Sequence, residues 1–116
     1  ARVASVELFA GCHSVTNGMQ RMGYAAIALD FSTVSPWDDV NSSAGFLRAL
    51  QYVLALEPGG LLWAAPPCSS WVWVGRYQTG RSRSTPLGND TKSVRQANVQ
   101  VGRVVLLAIV AILFHF

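Results

Sequence analysis

Cys68 closes an apolar run, Leu61-Leu62-Trp63-Ala64-Ala65, after two prolines, and the hydroxyls of Ser69 and Ser70 follow it. A thiolate is a strong nucleophile, and a nearby cation favours loss of the thiol proton; Arg76, Arg81 and Arg83 lie shortly downstream. A second set of chemically useful residues sits nearer the start. Gly11 ends the run Val3–Ala10, and Asp30 ends the run Tyr24–Leu29. A glycine past a strand lets a ligand approach the backbone closely, and a carboxylate past the next strand accepts hydrogen bonds from two ribose hydroxyls.

These residues need a sheet to bring them together. Residues 3–10 read as a buried strand, and Val15, Met19 and Met22 suggest a short helix over 14–22 with Gly23 as its left-handed cap. Tyr24–Leu29 reads as a second strand. Strand, glycine turn, helix and strand, with an acid about 20 residues past the turn, is the βαβ nucleotide-binding pattern. Residues 31–43 are polar and turn-rich. They lead to a helix over about 44–56, capped at Asn41, Ser42 or Ser43 and stopped by Pro58-Gly59-Gly60. Leu61–Ala65 is the third strand. Pro67 lacks an N–H and biases Pro66 away from helix, so pairing ends there and Cys68 is presented beyond the strand.

Residues 75–95 form a long loop with five of the basic residues, and a helix starts near Val94. The chain is apolar from Val104 to Phe116 except for His115. Those 13 residues span about 20 Å as helix, against about 30 Å for a bilayer core, and a start near Val99 brings the run close to the lower limit for crossing. The expected organisation is an α/β unit over 1–98, basic loop included, and an apolar helix over 99–116 that packs in the core or meets a membrane or partner.

With 51% hydrophobic and 13% charged residues in 116, the chain is a globular domain or partly membrane-bound, and not disordered. Residues 1–60 carry three Arg against five acids, and residues 61–116 carry six Lys or Arg against one. The basic half suits phosphate, nucleic acid or an anionic membrane face; its plainer reading is a solvated loop. Cys12 and Cys68 lack CxxC spacing, which argues against zinc and leaves both as reduced thiols. No charged region followed by an apolar run opens the chain, so no targeting signal is visible in it, and it reads as a processed form or a piece.

Glu7-Leu8-Phe9-Ala10-Gly11-Cys12 with Gly18 and Gly23, and then Pro66-Pro67-Cys68, resembles the first motif and the Pro-Cys loop of the DNA cytosine-5 methyltransferase family. The resemblance covers residues 3–68 and implies a partial Rossmann-like parallel sheet with flanking helices. It further implies S-adenosylmethionine as cofactor, with Phe9 and Gly11 beside it, Asp30 on its ribose and Asp39 at its adenine amino group. By the same resemblance Cys68 attacks C6 of cytosine; beyond the resemblance, the basic loop that follows offers Arg76, Arg81 and Arg83 to an anionic nucleic acid. His13 and Ser14 stand where the family has its later two glycines, and the family's cytosine-engaging glutamate, Arg-x-Arg motif and target-recognition domain have no counterpart in the 116 residues. The chain is therefore expected to be a degenerate module that does not catalyse by itself. The stretches Cys68-Ser-Ser-Trp-Val-Trp, Thr79-Gly-Arg-Ser and Pro86-Leu-Gly-Asn resemble proteins of unicellular algae with the same degenerate pattern.

Each residue also has a plainer role. Cys68 and Cys12 can be small packing residues, His13 an ordinary loop histidine and Asp30 a turn former; Trp63, Trp71 and Trp73 are better read as core or interface than as base-stacking platforms. Two functions follow. One is a methyltransferase-fold module that binds S-adenosylmethionine and meets a nucleic acid. The other is a non-catalytic accessory subunit that docks other proteins of a membrane-associated, photosynthetic complex through its tryptophans and apolar helix. The expected setting is intracellular, with association at an organellar membrane kept open by the apolar ending.

Overall fold

The structure is a computed structural model that describes residues 2–30, 36–66, 71 and 76–115, without the side chains of Pro36 and Arg76. It is α/β: a three-stranded parallel sheet in the order β2-β1-β3, flanked by helices. The elements are β1 (Val3–Leu8), α1 (Ser14–Arg21), β2 (Ala26–Leu29), a 3-10 turn (Pro36–Asp38), α2 (Ser43–Leu54), β3 (Leu56–Ala64), α3 (Arg76–Thr79) and α4 (Lys92–His115).

β1 lies in the middle because its sequence is fit to be covered everywhere. All six of its residues are buried, as expected for a parallel strand covered on both faces. Val6 and Leu8 face a core shared with Val53, Leu56 and Leu107, whereas Glu7 points to α1, so the strand's alternation assigns α1 to the opposite face. α1 packs on β1 and β2; α2 and α4 pack on each other and on the sheet, with α4 against β3. Right-handed crossovers require this division, because the chain moves one way from β1 to β2 and then back across β1 to β3.

The caps follow the sequence closely. Gly23, with φ 87°, closes α1: its N–H donates to Gln20 O at 3.0 Å and that of Tyr24 donates to Met19 O at 3.0 Å. This turn occupies Tyr24, so β2 starts at Ala26 and not at Tyr24. Ser42 is the cap of α2, its hydroxyl accepting from the Gly45 N–H at 3.0 Å.

Other boundaries also differ from expectation. α2 ends at Leu54, before the proline–glycine stretch, and Pro58-Gly59-Gly60 lies inside β3 as an irregularity. The pairing jumps from Val3–Leu56 to Ser5–Leu61, so the extra residues bulge out. Gly59 permits this through a φ of 77°, and Pro58 has no N–H for the ladder to lose. The basic segment is also less loop-like than its composition suggests: α3 occupies 76–79 and α4 starts at Lys92. Residues 99–115 of the expected apolar helix are thus continuous with a helix that begins earlier, and Leu107 and Ala111 join it to the core.

Two glycines give opposite expectations. A Cβ on Gly45 collides with the Asp39 carbonyl, while one on Gly18 meets nothing within 4 Å. Gly45→Ala is expected to cost several kcal/mol, and Gly18→Ala to stabilise α1 by about 0.5–1 kcal/mol. Urea unfolding of the two variants checks both signs.

Candidate functional site

In an open parallel sheet, ligands bind beyond the carboxyl ends of the strands, where successive connections diverge. Here that point lies between β1, whose connection runs to β2, and β3 on its other side. The ends are joined by main-chain bonds: Ala10 N–H donates to Leu29 O at 3.3 Å, and Ala65 N–H to Leu8 O at 3.4 Å. Phe9 and Gly11 after β1, Asp30 after β2 and Pro66 after β3 therefore share one edge.

The loop after β1 has an unusual backbone. Phe9, Gly11 and His13 have φ of 58°, 52° and 59°. Left-handed conformation costs a non-glycine residue about 1 kcal/mol or more, and such residues concentrate at functional loops. Phe9 turns the chain out of the sheet while its side chain still packs on the core. That turn leaves Cys12 as an exposed free thiol, whereas sequence reading placed it in the core. β1 ends at Leu8, two residues before the expected Ala10, so Cys12 lies well outside the sheet.

The glycine position is open. A Cβ on Gly11 meets no atom within 4 Å, and His13 and Ser14 are exposed. Asp30 is also exposed. The edge can thus admit a ligand, with Gly11 offering main chain and Asp30 a carboxylate.

What holds this loop against the sheet is Glu7, which sequence reading treated as one residue of an apolar strand. It is 4% exposed, and its Oε1 accepts from Thr16 N–H at 2.9 Å and Thr16 Oγ1 at 2.8 Å. His13, at the helix cap, makes no side-chain capping bond. Glu7 replaces that cap from inside the sheet, satisfying a first-turn N–H and placing negative charge at a helix N-terminus. An acid inside an otherwise apolar strand run was the signal that marked it.

The remaining expected residues are placed less closely. Asp39 Oδ1 accepts from Asn41 N–H at 2.9 Å, and its carbonyl accepts from Ser42 Oγ at 2.7 Å, so the residue shapes the approach to α2. It borders a hollow of about 470 Å³ with Ser42, Lys92 and Arg95. Arg81 stacks on Trp71, its guanidinium carbon 3.4 Å from the ring centre, and its Nη1 donates to Pro86 O at 2.9 Å. Partial burial lowers the Arg81 pKa from its ordinary value. Trp71 lies three residues past Cys68, so this stacking brings one of the three expected arginines to that segment. Arg83 is exposed. Cys68, Trp73 and the Arg76 side chain lie outside the described residues, and no group of three metal-binding side chains occurs among those described.

No family model, curated protein or solved structure matches the chain.

Glu7→Ala leaves the Thr16 N–H buried without its acceptor and is expected to cost about 1.5–3 kcal/mol. Thr16→Val, which removes the hydroxyl and keeps the N–H, should cost about half as much. Urea unfolding of both variants and their double mutant measures the coupling.

Proposed function

We propose that this chain is a degenerate methyltransferase-like module that binds S-adenosylmethionine and works within a larger assembly, without catalysing methyl transfer by itself. The observation that carries the reading is the shared strand edge that holds both Gly11, where an added Cβ meets nothing within 4 Å, and the exposed Asp30. Gly11 would admit the methionine portion, Asp30 would accept from the ribose hydroxyls, and Phe9 would fix the loop between them. When bound, the cofactor supplies an electrophilic methyl group. The chain's own residues hold and orient it: Glu7 anchors the start of α1, and the left-handed turns at Phe9 and His13 set the path of the loop.

Nucleic acid is the substrate class that the resemblance implies. Arg81, held on Trp71, and Arg83 supply cations for phosphate beside the segment that carries Cys68. The proposed nucleophile remains Cys68, by resemblance alone.

A second reading is favoured by a separate observation. The outer side of α4 exposes Val105, Ile109 and Ile112, and β3 exposes Leu61 and Trp63. A patch of that kind is characteristic of an interaction surface, and it supports an accessory subunit that docks protein or membrane through α4 and its tryptophans.

Calorimetry with S-adenosylmethionine tests the first reading. The native chain should bind, and Asp30→Ala should weaken binding at least about tenfold through loss of charge-assisted hydrogen bonds. Absence of binding by the folded chain, or equal binding by Asp30→Ala, sinks the assignment of this edge.

A further inference from the structure

β3 is an edge strand among the described residues: it pairs with β1 on one side only. Its first half is protected, since Glu57 is charged and the Pro58-Gly59 bulge disrupts pairing. Its second half, Leu61-Leu62-Trp63-Ala64, has no charge, proline or glycine. A regular, uncharged edge of this kind is a template for another strand.

The apolar surface beside it belongs to α4. Ala108, Ala111 and Ile112 meet Gly60, Leu61 and Leu62 around a hollow of about 350 Å³. At 100° per residue, Val105 and Ile109 fall on the same side of α4 as Ile112, away from Arg103, whose Nη1 holds Val40 O at 2.7 Å on the α2 side. The exposed row and the open strand edge therefore form one surface.

We propose that a second copy of this chain covers that surface, pairing β3 with β3 in antiparallel fashion across a two-fold axis to make a continuous six-stranded sheet. The proposal names the occupant of the docking surface and rests on the second reading above. Self-complementarity is the argument for a copy in place of another partner. With the axis at Leu62, Leu61 of each copy faces Trp63 of the other on one face of the sheet, an aliphatic–aromatic cross-strand pair, and Leu62 meets its own counterpart on the α4 face. A charge near a two-fold axis meets its own sign, and this surface carries none between Leu61 and Ala64 or at 105, 109 and 112.

The area is of the right order. Leu61, Trp63, Val105, Ile109 and Ile112 are 40%, 49%, 52%, 47% and 59% exposed. Half-exposed side chains of this size present about 100 Å² each, or roughly 500 Å² per copy before main chain is counted, against about 800 Å² per partner in a stable interface. A bilayer is the weaker fit, because the unpaired strand edge has no partners in hydrocarbon.

Sedimentation velocity of the native chain at micromolar concentration, with Trp63→Lys, Ile112→Lys and the control Leu47→Lys on α2, tests this. The expected result is a species of about twice 12.5 kDa. Trp63→Lys and Ile112→Lys should raise its dissociation constant at least about tenfold, while Leu47→Lys leaves it unchanged. Hydrogen exchange at residues 61–64 of the native chain should slow with concentration, a readout that needs no variant to fold. A monomeric native chain, a dimer broken by Leu47→Lys alone, or exchange at 61–64 independent of concentration overturns the second copy. A monomer that floats with anionic vesicles assigns the surface to lipid instead. A monomer that does not float overturns the self-pairing but leaves the docking of another subunit standing.

Discussion

The structure depends on burying β1 completely. A strand with neighbours on both edges and helices on both faces leaves no route for water to reach a polar group, so a polar side chain on it is costly unless it finds a partner within the fold, which Ser5 Oγ, buried without one among the described residues, does not. Glu7 does so through the N-terminus of α1, where backbone N–H groups point outward with a partial positive charge. That contact links the sheet, the helix and the intervening loop. Because β1 ends at Leu8 and α1 is held at Thr16, the Phe9–His13 loop has to cover a short gap. Its three left-handed residues are how the chain turns within that gap, and the result is a loop exposed from Gly11 onward.

α4 answers a different requirement. By length and composition it can cross a membrane, with mean hydropathy 2.1 in its most apolar window and only 11% of that window buried. In this fold it is tied to soluble partners along one side. Arg103 donates to the carbonyls of Val40 and Ser42, Asn41 donates to Gln96 O, and the His115 ring lies 2.8 Å from Val53 O. A crossing helix gives up these bonds and strips Leu107 and Ala111 from the core. Its apolarity comes from having two apolar sides, one facing the sheet and one facing outward.

Much of this was legible in the sequence, for identifiable reasons. Strand runs ending at Gly11, Asp30 and Pro66, and caps at Ser42 and Gly23, are local signals that burial and chain geometry reinforce. The parallel order and the shared edge followed from the βαβ pattern. The failures were tertiary. Pro58-Gly59-Gly60 has the composition of a helix stop, yet pairing with β1 took it into a strand as a bulge. The start of α4, by contrast, was local and legible: the helix expected from about Val94 begins at Lys92, after a turn in which the Thr91 N–H donates to Asn89 Oδ1 at 3.2 Å. Neither the role of Glu7 nor that of Arg103 could be read locally, because each partner lies on another element.

β3 connects the two ends of the functional argument. Its carboxyl end brings Pro66 to the edge shared with Gly11 and Asp30, while its outer side is, among the described residues, the unpaired edge beside α4. An edge strand held by one neighbour opens more readily than one held by two, so its final residues, like those of β2, are less secured than those of β1. Pairing along Leu61–Ala64 would order the strand immediately before Pro66. The proposed cofactor edge and the proposed docking surface would thus be coupled through four residues of one strand, without any contact between ligand and partner.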